Sequence, residues 1–120
     1  MLGYKLFQAG FETLALTATV QDVGTAISAA GTTQGTATTL TNALNGISSV
    51  ASGTGVVLWT GTAGDCQIVY NGGANAVSVY PPSGAKINGL PTNTPHILGT
   101  NTVCEYWFLS TTQVVGVLSA

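Results

Sequence analysis

The sequence predicts an all-β protein, an antiparallel β-sandwich or barrel of jelly-roll type. Short segments rich in β-branched and aromatic residues alternate with turns that contain Gly, Asn and Pro, a spacing typical of sandwiches and barrels. No segment carries the long apolar stripe of 3.6-residue period that marks an amphipathic helix. The length of 120 residues fits a single domain. We expect this domain over residues 21–120, with residues 1–20 forming either its first strand or an arm that reaches onto a partner.

Three strands are expected in residues 22–54, a region dominated by Thr, Ala, Gly, Ser and Asn. Threonine fits a pleated strand, and the scattered glycines interrupt helices. The expected strands span Ala26–Ala30, Thr36–Leu40 and Gly46–Val50. In Ala26–Ala30 the alanines also favour a helical turn, so two local structures compete there.

Strand signals are clearer from residue 53 onward. Gly55–Trp59 is a short apolar run, and Asp65–Asn71 alternates in the manner of a half-buried strand. Asn71-Gly72-Gly73 supplies residues that tolerate positive φ, so we expect a hairpin that returns as Ala76–Tyr80. Pro81 and Pro82 then end the strand, because they lack the N–H that a sheet needs.

The last part of the chain predicts two more hairpins. Asn88-Gly89 is the strongest short hairpin signal in the sequence, and Thr102–Leu109 is expected to pair with Gln113–Leu118. The two faces of Thr102–Leu109 are Cys104, Tyr106 and Phe108 on one side, and Val103, Glu105, Trp107 and Leu109 on the other. Both faces carry bulky residues. We therefore expect the core to cover one face and a subunit contact to cover the other.

The chain is unusually poor in charge. Only six of its 120 side chains are formally charged, and its mean hydropathy is +0.41, whereas a typical soluble domain is about a quarter charged residues. Charge keeps proteins apart in solution. We therefore expect a neutral surface that packs against copies of the chain or within a larger assembly.

Several classes of function are disfavoured by the same composition. The only bases are Lys5 and Lys86, which cannot form the basic patch that nucleic acid requires. The apolar runs are shorter than the roughly 20 residues of a membrane span. Polar residues interrupt the first twenty residues, so no secretory signal is expected.

The sequence offers no recognisable catalytic site, and we expect neither a metal nor a cofactor. His96 is the only histidine, Cys66 and Cys104 lack metal-ligand spacing, and no Gly-x-Ser-x-Gly motif presents a nucleophile. His96 is expected to be exposed or at a sheet edge. The two cysteines are expected to be reduced, small buried residues, with a late-forming disulfide or a partly exposed thiol as alternatives.

Two acidic residues have structural interpretations. Asp65 follows Gly64 at the start of a strand, where its carboxylate can accept a turn N–H. Glu105 stands in an aromatic strand, and we expect it either at an exposed sheet edge, which is the preferred interpretation, or paired with a lysine.

The second half of the chain resembles a group of small structural proteins of tailed bacteriophages. The resemblance covers roughly residues 53–120, and its distinctive part is the run from Asn75 to Gly84 followed by Ile87-Asn88-Gly89. It also includes Gly53–Leu58, Gly64-Asp65, Asn71–Ala74 and the ending Val115–Ala120. The resemblance implies a virion component, most closely a capsid decoration (cement) protein on the head surface. It transfers no functional residues, since the shared pattern consists of turns and strand positions.

This resemblance and the charge poverty together lead to a functional expectation. We expect a homotrimer, made in the bacterial cytoplasm, that docks on the major capsid protein and bridges its copies. The candidate interface residues are Tyr4, Phe7, Phe11 and Trp107. A tail fibre, tail tip or baseplate component is the alternative within the virion. A carbohydrate-binding module, with Trp59, Tyr80 or Trp107 as stacking platform, is the alternative outside it.

Overall fold

The computed structural model of the protein describes residues 22–119, and residues 1–21 and 120 lie outside the described part. The expected strand or arm at residues 1–20 therefore lies outside it, as do Tyr4, Phe7 and Phe11. The strands within residues 22–119 are β1 (Val23–Ser28), β2 (Thr38–Thr39), β3 (Leu44–Ser49), β4 (Gly55–Val57), β5 (Cys66–Asn71), β6 (Val77–Tyr80), β7 (Lys86–Ile87), β8 (His96–Leu98), β9 (Thr102–Phe108) and β10 (Gln113–Leu118).

The strands form two sheets between which the chain winds. The six-stranded sheet has the order β1-β3-β5-β9-β10-β7, and the four-stranded sheet has the order β2-β4-β6-β8. From β1 to β6 the chain alternates strictly between the two sheets, and each strand lies parallel to the one before it in the same sheet. This is the winding of a β-solenoid, in which each turn contributes one strand to each sheet.

The all-β class is confirmed, but the antiparallel sandwich or barrel is not. Of the eight strand pairings within residues 22–119, five are parallel and three are antiparallel. The antiparallel pairs all involve β8 or β9, each of which runs in the direction opposite to its neighbours in the sheet. Spacing alone did not distinguish a turn that reverses within one sheet from a corner that leads to the other.

The expected hairpin at Asn71-Gly72-Gly73 is wrong for this reason. β5 and β6 lie in different sheets. The Asn71 side chain accepts a hydrogen bond from Gly73 N at 2.9 Å and donates to the carbonyls of Asn75 and Leu98 at 2.9 and 3.0 Å. A Cβ at Gly73 would lie 2.6 Å from a methyl carbon of Val50, so the backbone passes too close for any other residue. The segment is a corner, held by a buried side chain.

The other two hairpin predictions have opposite outcomes. Asn88 does adopt a positive φ of 52°, and Leu90 N donates to the carbonyl of Ile87 at 3.0 Å, so a tight turn forms. The chain does not return beside β7, however, which pairs in parallel with β10. The β9–β10 hairpin is confirmed.

A single core lies between the two sheets. Its residues include Val56, Val79 and Leu98 from the four-stranded sheet and Val69, Tyr106 and Phe108 from the six-stranded sheet. The prediction that Cys104, Tyr106 and Phe108 share the core face of β9 is confirmed, since all three are buried. The opposite face of β9 therefore points away from the core, where it forms part of the surface described next.

Candidate interaction surface

The outward side of the six-stranded sheet carries a continuous row of large side chains. Strand register places Val23 beside Leu44, Leu44 beside Ile68, and Ile68 beside Glu105, and Val117 follows on the far side. One row therefore crosses five neighbouring strands, and Glu105 is its only charged member. We call this row, with its neighbours on β5, β9 and β10, the outer face.

Two shorter rows extend the outer face along the strands. Trp107 lies between Cys66 and Val115, and Val103 lies beside Tyr70. The exposed fractions are 42% for Trp107, 41% for Leu44, 39% for Tyr70 and 53% for Val117. Monomeric soluble proteins rarely expose contiguous apolar patches of more than a few hundred Å². The outer face is therefore the candidate interaction surface of the described residues.

Glu105 lies near the middle of this face. Its strand, β9, lies between β5 and β10, so the preferred prediction that Glu105 stands at a sheet edge is wrong. Trp107 Nε1 donates a hydrogen bond of 3.1 Å to Oε1 of Glu105 from two positions further along the same face. The sequence indicated that the residues of β9 alternate between two faces, but strand order decides whether a strand is at an edge, and that order is not local.

The aromatic residues proposed from sequence do not meet at one place. Trp107 lies on the outer face, as a subunit contact would require. Tyr80 is buried in β6, and its hydroxyl donates to the carbonyl oxygen of Thr32 at 3.2 Å. Trp59 is half-buried in the segment that follows β4. A row of stacking platforms is therefore not formed by Trp59, Tyr80 and Trp107, because Tyr80 is buried.

The two cysteines are free thiols on opposite sides of one sheet. Cys104 is buried in the core, while Cys66 is half-buried on the outer face beside Trp107. Cys104 pairs with Val69, three residues along β5 from Cys66, so the thiols neither face each other nor align. Burial raises the pKa of both thiols, and the negative charge of Glu105 raises the pKa of Cys66 further.

His96 begins β8, the edge strand of the four-stranded sheet, as the edge interpretation predicts. Its Nδ1 lies 2.8 Å from the hydroxyl oxygen of Tyr106, and burial lowers the pKa of its imidazole. The prediction for Asp65 is also confirmed. Its Oδ2 accepts hydrogen bonds from Thr62 N at 2.9 Å and from Thr62 Oγ1 at 3.3 Å.

Buried amides that the sequence reading missed hold the corners of the fold. Gln67 Oε1 accepts from Trp59 N at 3.1 Å, and Gln67 Nε2 donates to Trp59 O at 2.8 Å, so the side chain pairs as a strand backbone would. Asn45 Nδ2 donates to the carbonyls of Asn42 and Ile68 at 2.7 and 3.1 Å. The available signal was a polar residue at an inward position of an alternating strand. Both amides thus bond to backbone groups of other segments.

The described part of the chain shows no other candidate site. Residues 22–119 enclose no pocket, and they hold no group of three or more His, Cys, Asp or Glu side chains that could bind a metal ion. Within the same residues, no helix is long and apolar enough to cross a membrane. Comparison with protein-family models, with curated proteins and with solved structures gives no match.

Proposed function

We propose that this protein is a structural component that acts by burying its outer face against other subunits. The observation that carries the proposal is the row from Val23 to Val117, in which four of five neighbouring side chains are apolar and point away from the core. Each Å² of apolar surface removed from water contributes about 25 cal/mol, less the ordering cost of association. Exposure of such a surface to water is unfavourable, and its burial against another subunit lowers the free energy.

The specific form of the proposal is a bacteriophage virion protein, a capsid decoration protein that bridges copies of the major capsid protein as a homotrimer. The support is the resemblance of residues 53–120 to small phage structural proteins together with the low charge of the chain. Small Thr, Ala, Ser and Gly side chains lose little rotamer entropy on burial, which suits a protein whose role is contact area. A tail fibre, tail tip or baseplate component has the same physical requirements.

Cryo-electron microscopy of virions tests where the protein resides. Density on the head surface into which residues 22–119 fit supports the decoration role. Density confined to the tail replaces it with the alternative, and absence of the chain from purified virions overturns the virion proposal. Light scattering tests self-association independently. We expect a trimer, and a stable monomer at micromolar concentration contradicts that part.

A matched pair of substitutions tests the surface itself. Val117→Lys places a charge on the outer face, and Ile97→Lys makes the same change on β8 of the other sheet, where Ile97 is 58% exposed. We expect Val117→Lys to abolish assembly without unfolding the chain, and Ile97→Lys to leave assembly intact. Equal loss from both variants, or from neither, contradicts the assignment of the outer face.

A further inference from the structure

Three asparagines of the chain are followed directly by glycine, namely Asn45, Asn71 and Asn88. In an Asn-Gly pair the glycine nitrogen can attack the asparagine side chain, because glycine carries no Cβ that hinders a close approach. We infer that Asn88 is a site of spontaneous deamidation in the folded chain, whereas the fold protects Asn45 and Asn71. This modification concerns the isolated chain and goes beyond its role in an assembly.

The reaction converts the side-chain amide to a carboxylate in two steps. Gly89 N gives its proton to a base in the solvent and forms a bond to Cγ of Asn88. The amide nitrogen Nδ2 takes up a proton and leaves as ammonia, so that a cyclic succinimide remains. Water then opens the ring at either carbonyl, which gives aspartate or isoaspartate. The net reaction consumes one water and releases one ammonia, with no change in oxidation state.

The two nitrogens that react at Asn88 are accessible. Asn88 and Gly89 are both exposed, in the turn that follows β7. Among residues 22–119, Gly89 N donates no hydrogen bond, and the side-chain hydrogen bonds of Asn88 are confined to Oδ1. A Cβ at Gly89 would meet no atom within 4 Å, so the peptide that follows Asn88 has room to rotate. The attacking nitrogen and the leaving nitrogen therefore need not break a hydrogen bond to this part of the chain.

The oxygen of the same amide is held by the sheet. Oδ1 of Asn88 accepts a hydrogen bond of 2.9 Å from Gly116 N on β10. Attack on Cγ places negative charge on this oxygen, and a backbone N–H at such a distance stabilises that charge. The contact with β10 therefore favours the attack that the open turn permits.

Asn71 has a similar donor at its oxygen, but its nitrogens are not free. Its Oδ1 accepts from Gly73 N at 2.9 Å, while its Nδ2 donates to two backbone carbonyls at 2.9 and 3.0 Å. Gly72 N, the attacking atom of this pair, donates to the carbonyl of Ile47 at 2.7 Å. Asn71 is also fully buried. Because the three hydrogen bonds made by these nitrogens must break first, we expect Asn71 to react about a hundredfold more slowly than Asn88.

Asn45 is protected by its place in the sheet. It is fully buried on β3, which lies between β1 and β5. Its Nδ2 donates to the carbonyls of Asn42 and Ile68 at 2.7 and 3.1 Å. Its Oδ1 has no hydrogen-bond partner among residues 22–119, so no donor there stabilises charge on that oxygen. Since two hydrogen bonds must break, we expect Asn45 to react at least about tenfold more slowly than Asn88.

The isoaspartate product is expected to weaken the pairing of β7 with β10. In this product the chain continues through Cγ, and the former backbone carbonyl of Asn88 becomes the free carboxylate. That carbonyl accepts from Gln113 Nε2 at 3.2 Å, and the turn beside it is closed by a hydrogen bond from Leu90 N to Ile87 O. The extra backbone atom changes the spacing of this turn. Aspartate keeps the original backbone and an oxygen for Gly116 N, so we expect it to be the more stable product.

The test follows all three sites in one molecule. The full chain is incubated at neutral pH in heavy-oxygen water, which labels the products formed during incubation, and its peptides are analysed by mass spectrometry. In the folded chain we expect product at Asn88 and the slower rates given above at Asn45 and Asn71. In guanidinium chloride, where the fold no longer protects them, the three sites are expected to react at similar rates. Ion exchange separates the modified chain, because one carboxylate is added to a formal net charge of −2.

Gly89→Ala tests the reaction without altering the fold. The added methyl group hinders the attacking nitrogen, while the site has open space and its glycine is not among those with positive φ. We expect most of the product at Asn88 to disappear. Gly99→Ala, at another open site that no asparagine precedes, is the control and is expected to deamidate like the parent. Circular dichroism of both variants verifies that the sheets remain intact.

The outcomes decide the inference and its structural consequence separately. Absence of product at Asn88 in the folded chain, or equal rates at the three sites, overturns the inference. Undiminished product in Gly89→Ala also overturns it, because the amide would then be lost by another route. Asn88→Asp provides the aspartate product in pure form for thermal unfolding. An isoaspartate fraction as stable as this variant contradicts the expected weakening of the β7–β10 pairing.

Discussion

The imidazole of His96 and the phenol of Tyr106 connect the two sheets through the core, with His96 Nδ1 2.8 Å from the Tyr106 hydroxyl oxygen. Their rings meet edge to face, at a centroid distance of 5.7 Å and an interplanar angle of 75°. His96 lies on the edge strand β8, and Tyr106 is buried in the interior strand β9. The contact fixes the edge of one sheet on the middle of the other.

This contact predicts that the protein loses stability in mild acid. Burial lowers the pKa of His96 in the folded chain, whereas an unfolded histidine titrates near pH 6.5. Below about pH 6.5 the unfolded chain therefore binds more protons than the folded chain. As the pH is lowered, the free energy of unfolding decreases until the folded histidine is also protonated. Urea unfolding of the parent between pH 5 and 8 measures the effect.

The control for this pH dependence is His96→Gln, which keeps a hydrogen-bonding group and cannot titrate. We expect its free energy of unfolding to be flatter over the same range. The two chains are expected to converge at the acid end. If the parent and the variant have parallel pH profiles, His96 is not the group responsible.

The corner formed by Gln67 and Trp59 is expected to be worth more than an ordinary surface contact. Gln67→Met keeps the length of the side chain but leaves the N–H and carbonyl of Trp59 without their partner. We expect a loss of about 1–3 kcal/mol in the free energy of unfolding, the usual cost of stranded buried polar groups. The matched control is Gln113→Met, which also removes two side-chain hydrogen bonds to the backbone. Both of them are donated to carbonyls, at a partly exposed site where water replaces them. Equal losses in the two variants would contradict the assignment.

The strands and corners of the fold differ in how far the sequence could predict them. The strand at Gln113–Leu118 and the alternation around Tyr106 were predictable, because strand propensity and side-chain direction are set by neighbours in the chain. Strand order was not predictable in this way. Asn71 was correctly placed at a turn, yet only the partners of its side chain, which come from distant residues such as Leu98, decide that the turn is a corner between sheets.

The outer face follows the same division. The sequence indicated that Trp107 and Glu105 share a face of a strand with bulk on both sides. Whether that face lay at an edge or at the centre of a sheet depended on the two strands beside β9. These are β5, which precedes it in the sequence, and β10, which follows it. The sequence thus indicated an outward position for Trp107, whereas the row that surrounds it depends on the strand order.

Gly55 is expected to tolerate no larger residue, because its backbone lies close to β6. A Cβ at this position would lie 2.6 Å from the carbonyl oxygen of Ser78 on β6 and 2.9 Å from the ring of Tyr80. The first of these atoms is backbone in a paired strand and cannot rotate away. We expect Gly55→Ala to cost about 1–3 kcal/mol, the range of overpacking in a core, or to prevent folding.

The control for Gly55 is Gly35→Ala, where a Cβ would meet no atom within 4 Å. Both substitutions add the same methyl group and restrict the unfolded chain equally, so their difference isolates the steric contact. Thermal unfolding of both variants provides the comparison. A Gly55→Ala variant as stable as Gly35→Ala would mean that β4 and β6 approach less closely than the structure describes.

The thiol of Cys66 is expected to react slowly, and removing the Glu105 charge should accelerate it. Burial raises the pKa of Cys66, and Glu105 raises it further by disfavouring the thiolate. Because the thiolate is the reactive form, Glu105→Gln is expected to move the pH–rate profile for a thiol reagent to lower pH. The rate at pH 8 should rise modestly, since a charge at a protein surface acts through a high effective dielectric. Asp22→Asn, which removes a carboxylate that contacts Asn42, should leave the rate unchanged.

Cys104 is buried in the core and should react only on unfolding. Equal labelling of both cysteines in the folded chain would contradict their placement on opposite faces of the sheet.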